Sequence, residues 1–127
     1  MARLKFSLLL LSLAAVLRGQ PFLANSPKVE VKGAIERVQL TPGQGMPFLE
    51  LKSDKGTERV MLGSMRYLLE RNFNPKAGSI AVVKGFRVND FVFARSVEIP
   101  AEKVTIQLRD ENGMPLWRRG RYGWKKD

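Results

Sequence analysis

The residues best suited to chemistry stand at the C-terminal end, where Trp117, Arg118, Arg119, Arg121, Tyr122, Trp124 and Lys125 interleave cations with aromatic rings. Arginine and tryptophan combine area, charge and hydrogen bonding, the make-up of binding hot spots. The same alternation suits an anionic membrane surface, with tryptophan at the interface and cations among the head groups. A solvated, frayed terminus is the alternative reading of this stretch. A second candidate set is Arg66, Tyr67 and Arg95, with Lys84 and Arg87 adding charge and Phe91 and Phe93 adding rings. Exposed aromatics beside cations can stack the bases of a single nucleic-acid strand. Aromatics are more often core residues, however. On that ground Phe91 and Phe93 are expected on a core face, and Tyr67 over a helix–sheet junction.

Catalytic chemistry has little to work with. The chain has no histidine and no cysteine. It therefore lacks an imidazole base, a thiolate nucleophile, and the ligands for zinc, haem or an iron–sulfur cluster. Carboxylates such as Asp54, Glu58, Asp90 and Glu98 fall in turns or on polar faces, with no apolar pair to raise a pKa. No serine lies in a nucleophile elbow, and no glycine-rich phosphate loop follows a strand. Asp110, Glu111, Asn112 and Gly113 begin with the spacing of a calcium loop, but Met114, Pro115 and Leu116 follow, so a turn is expected. The expectation is a binding protein, with no enzyme activity, no metal and no cofactor.

Charge points the same way. The formal charge is +10, and it is concentrated at the ends. Arg3, Lys5 and Arg18 stand in residues 1–24 without an acid, and residues 118–127 set five cations against Asp127 alone. A basic end can meet nucleic acid, anionic lipid or an acidic protein, or can simply aid solubility.

The elements that must position these residues follow from the hydrophobic pattern. Phe6–Leu17 is an unbroken apolar and small run behind a short positive segment. It has the form of a signal-peptide core and is shorter than the roughly 20 residues that span a bilayer. Ala24 or Gly19 would end the leader, and an uncleaved membrane anchor is the alternative. Export to the periplasm or beyond is expected.

In the body, Val29, Val31, Gly33 and Ile35 alternate at odd positions, then Val38 and Leu40 at even ones. This reads as one long strand with a bulge near Glu36 and Arg37. Pro47–Ser53 and Thr57–Leu62 read as a hairpin around Asp54, Lys55 and Gly56. Leu49 and Leu51 share one face there, as do Val60 and Leu62, with Glu50, Lys52, Arg59 and Met61 opposite. Ser64 is a good N-cap for a helix over Met65–Arg71 that would bury Met65, Leu68, Leu69 and Phe73. Ser79–Phe86 and Phe91–Ile99 form a second hairpin, and Lys103–Arg109 a sixth strand.

Three strands, one helix, then two strands, with the first strand long and bulged, is the order of an oligonucleotide/oligosaccharide-binding (OB) barrel. The predicted architecture is mainly β: a single small OB-like Greek-key β-barrel of five to six strands, with one short helix between strands three and four. Residues 1–24 form a signal peptide or N-terminal anchor, 25–109 the barrel domain, and 110–127 a turn and a basic, aromatic tail.

With this order the chain resembles the small exported OB-like proteins of the bacterial periplasm, over about residues 28–109. Leu62, Gly63, Ser64, Tyr67 and Leu68 match a Leu-Gly-Pro-x-x-Tyr-Leu segment of that group, with Ser64 in place of proline. Gly113, Met114, Pro115, Leu116 and Trp117 match its closing Gly-x-Pro-Leu-Trp. The resemblance implies an accessory role in the envelope, and DNA binding has been attached to the group by fold alone; fold does not fix function. The exported OB haem chaperone holds haem through a histidine, which this chain lacks. The expected partner is a protein or envelope component. Single-stranded nucleic acid or another polyanion, and an anionic membrane surface, are the alternatives.

Overall fold

The computed structural model describes residues 23–118. The expected leader therefore lies almost wholly outside the described residues, as do Arg119, Arg121, Tyr122, Trp124 and Lys125. No helix among the described residues is long and apolar enough to cross a membrane.

The chain forms six strands: β1 (Lys28–Gln39), β2 (Phe48–Ser53), β3 (Gly56–Met61), β4 (Ile80–Val88), β5 (Phe91–Ile99) and β6 (Val104–Gln107). One helix, α1 (Met65–Glu70), lies between β3 and β4. β1 serves two neighbours, pairing through Lys28–Ala34 with β4 and through Ala34–Gln39 with β2. The switch is made at a bulge between Ile35 and Arg37, where the hydrophobic parity of the sequence reverses. Gly33 lies against the carbonyl of Lys52, which a Cβ would strike. The hairpins β2–β3 and β4–β5 complete the meander. A short parallel pairing, Arg59 to Phe91 through Met61 to Phe93, then joins β3 to β5 and closes a five-stranded barrel. β6 extends the sheet along the second half of β5. This is the expected mainly β, OB-like barrel with one added strand.

The core holds one side of every barrel strand. Leu49, Leu51, Val60, Val83, Val92 and Val97 are fully buried. Ser64 caps α1, its hydroxyl accepting the amide of Tyr67 at 3.3 Å. The helix buries Tyr67 and Leu68, and Phe73 after it. Leu69, expected inside, is 57 % exposed, because α1 is under two turns long and only one edge of it reaches the sheet. Phe91 and Phe93 also depart from expectation. Val92 and Ala94 face the core instead, because pairing with β3 sets Val92 opposite Val60. The two phenylalanines are thus outward. β6 is shorter than expected. Lys103 takes a left-handed φ of 55° after a 3₁₀ turn at Pro100–Glu102. Leu108 and Arg109 then leave the ladder, both amides donating to the carbonyl of Arg95 at 2.7 and 3.2 Å.

Candidate functional site: the outer face of β2, β3 and β5

Directly paired residues project from the same side of a sheet, so the register defines two outward rows. One runs Gln39, Phe48, Met61, Phe93. The other runs Arg37, Glu50, Arg59, Phe91. Arg59 ties the rows together. Its guanidinium carbon lies 4.2 Å from the Phe48 ring centre, and its Nη2 donates to Glu50 Oε2 at 2.6 Å. Arg37 approaches the same ring at 5.4 Å. Phe91 ends its row 40 % exposed, and Met46, in the loop before β2, is 48 % exposed. The result is an open surface of rings and thioethers edged by guanidinium groups, the composition that recurs at protein interfaces.

Two further arginines near this hairpin are paired with carboxylates. Arg87 on β4 reaches Glu58 with two hydrogen bonds, at 2.8 and 3.0 Å. That contact holds the Glu58 carboxyl below its ordinary 4.5 and raises Arg87, working against partial burial of both. Arg66 pairs with Glu70 one helical turn away at 3.4 Å. These two pairs lie off the outward rows, since Glu58 stands opposite buried Leu51 and Arg87 opposite buried Val92. On the face itself Glu50 neutralises Arg59, and Arg37 has no ion pair among the described residues.

A separate cluster forms where β3 and β5 diverge. After Met61 and Phe93 the parallel ladder stops. Nη1 of Arg109 takes the place of the next rung, donating to the carbonyls of Leu62 at 3.1 Å and Ala94 at 2.6 Å. The Arg109 guanidinium also lies 5.1 Å from the Trp117 ring centre and 5.5 Å from that of Phe93. Arg109 is 5 % exposed, and burial pushes its guanidinium down to about 10, still charged at neutral pH. Trp117 packs on Gly63 and stands 5.8 Å from the Tyr67 ring. The two sequence motifs that carried the family resemblance therefore meet in space.

Of the predicted site residues, Tyr67 is 7 % exposed, and its hydroxyl donates to the carbonyl of Gln107 at 2.8 Å. Trp117 is half-buried in the same cluster, and Arg118 is exposed beside it. Arg66 is exposed in the first turn of α1. Arg95 stands on a bulge in β5, 3.8 Å from Glu111. The structure brings Tyr67 and Trp117 together, while Arg66 and Arg95 face Glu70 and Glu111. Sequence reasoning missed Phe48, Arg37 and Arg109. Phe48 carried a usable signal, an aromatic on the parity shared with Glu50 and Lys52. Arg109 carried none, since an arginine following the alternation of Val104, Ile106 and Leu108 reads as solvent-facing.

No family model and no curated protein matches the chain. Among solved structures it is similar to TiaS in a complex with an isoleucine tRNA and ATP, with 14 % identity and a TM-score of 0.48, over 57 % of this chain and 18 % of that one. It is similar also to a ZRD-deleted mutant of TiaS in complex with agmatine, with 14 % identity and a TM-score of 0.48, over 69 % and 24 % of the respective chains. The chain thus spans a quarter or less of the length of these proteins.

Proposed function

We propose that this protein is an exported, non-catalytic binding module that docks a protein partner or envelope component on the outer face of β2, β3 and β5. One observation carries the reading: Phe91 stands 40 % exposed next to an Arg59 that is already stacked on Phe48 and paired with Glu50. A ring left open beside a pre-ordered arginine costs little further side-chain entropy on binding. Pairing of Arg59 with Glu50 favours a partner of mixed surface over a phosphate backbone, which needs free cations. The strands and loops of this side are also where OB barrels hold ligands. Export rests on the leader-like residues 1–24, and the absence of histidine and cysteine supports a role without catalysis.

The second reading is polyanion binding, favoured by the charge of +10 and the cations of residues 118–127. Fluorescence anisotropy of a single-stranded oligonucleotide with the purified protein separates the two. The first reading predicts weak binding that disappears between low and physiological salt and is indifferent to Phe91→Ser. Binding that survives physiological salt and is lost in Phe91→Ser would establish the second reading instead.

A further inference from the structure

A groove of about 260 Å³ opens on another part of the barrel, lined by Lys28, Val29 and Glu30 of β1, Lys84, Gly85 and Phe86 of β4, and Arg95 of β5. We propose that this groove is a binding site for a phosphate monoester group. It adjoins the face assigned above to the partner, because Phe86 stands opposite Phe93 in the register, but shares none of that face's residues.

The site begins with the bulge in β5. Lys84 pairs with Ser96 and Gly85 with Ala94, so Arg95 is the extra residue between them. A bulge redirects the side chain it carries, and this one is locked by the two amides that donate to the Arg95 carbonyl. Gly85 is required beside it, since a Cβ there would strike the carbonyl of Phe93. Nε of Arg95 is buried with no hydrogen-bond partner among the described residues. Its Nη2 faces Glu111 at 3.8 Å, beyond hydrogen-bond reach, and the Glu111 side chain is 80 % exposed. Nε is sealed from solvent, so a ligand would meet the outer edge of this 36 % exposed side chain, whose planar fork matches oxyanions.

Lys28 and Lys84 are both exposed and form no ion pair among the described residues. Glu30, the one carboxylate in the lining, stands opposite Lys84 in the register. With Glu111 beside Arg95 counted together with Glu30, the three cations still leave the groove net positive, which suits the oxygens of a phosphate monoester. Phe86, wholly buried, lies beneath as an apolar wall. A small soluble phosphate ester and a lipid head group both present this chemistry.

Amide chemical-shift titration of the full chain with glycerol 3-phosphate at constant ionic strength tests the site. A parallel arm measures sedimentation with vesicles containing phosphatidic acid. The expected result is saturable shifts confined to residues 28–30, 84–86 and 95, or saturable vesicle binding that glycerol 3-phosphate displaces. Arg95→Gln should weaken either by about tenfold or more, the loss of a charge-assisted contact. Lys28→Ala with Lys84→Ala, both at exposed positions, should do the same and serves if Arg95→Gln does not fold. Absence of saturable binding in both arms, shifts spread over all surface lysines, or affinity unchanged in the foldable variants would overturn the proposal.

Discussion

The indole of Trp117 fills the space in which a side chain on Gly63 would stand, and a Cβ there would collide with its six-membered ring. Gly63 also holds a φ of +145°, which only glycine adopts without strain. Gly63→Ala should therefore cost about 2–4 kcal/mol, adding backbone strain to overpacking. Urea denaturation of the single and double variants with Trp117→Leu checks this. The two losses should sum to more than the double variant shows, because the smaller side chain relieves the collision.

Trp117 is accordingly a part of the fold. A chain ending at Leu116 should melt well below one ending at Arg118, with a stability loss of about 2–4 kcal/mol for removing the half-buried ring from Gly63, Tyr67 and Arg109. Thermal unfolding followed by circular dichroism is sufficient. Equal midpoints would show that the ring contributes nothing to the barrel.

Arg109 replaces a missing rung between β3 and β5. Arg109→Met strands the carbonyls of Leu62 and Ala94, each worth about 1–3 kcal/mol when buried and unpaired, partly offset by removing a desolvated charge. A net loss of about 2–4 kcal/mol is expected by chemical denaturation. Burial holds its folded value at about 10, below that of an exposed arginine. The native state therefore begins to shed this proton before the unfolded chain does, and the group's contribution rises with pH only above that value. The difference between wild type and variant should be flat from about pH 6 to pH 8.

Much of this architecture was legible in the sequence, and the failures have physical causes. The reversal of parity at Glu36 foretold the bulge that lets β1 serve two neighbours. Ser64 announced the helix start through its hydroxyl. Phe91 and Phe93 are expected on the core face yet lie outside, because Val92 and Ala94 are also apolar and alternation alone does not choose a side. The parallel register with β3, a contact between distant segments, made the choice. The partner face was half visible, in that Arg59 and Met61 were read as opposite the core. Its assembly with Phe48 and Phe91 needed the closed barrel. Arg109 was invisible because nothing local marks an arginine that hydrogen-bonds carbonyls of two remote strands.

The Glu58–Arg87 pair gives a pH test of the same sign in the acid range. The folded Glu58 carboxyl titrates below 4.5, so its stabilisation is present above that pH and is lost as the solution is acidified through the lower folded value. With the side chains 13 % and 32 % exposed, the pair should contribute about 1 kcal/mol at neutral pH. Denaturant midpoints of wild type and Glu58→Gln should differ at neutral pH and converge in acid. A gap that persists in acid would contradict the assignment.

The central claim, a partner docked beside Phe91, is tested most directly by site-specific photo-crosslinking in the native host. A benzophenone amino acid is placed at position 91, or as a control at Lys55, exposed at the tip of the β2–β3 hairpin. The account predicts one discrete protein or envelope adduct from position 91 and none from position 55. No discrete adduct from position 91, or the same adducts from both positions, would contradict it.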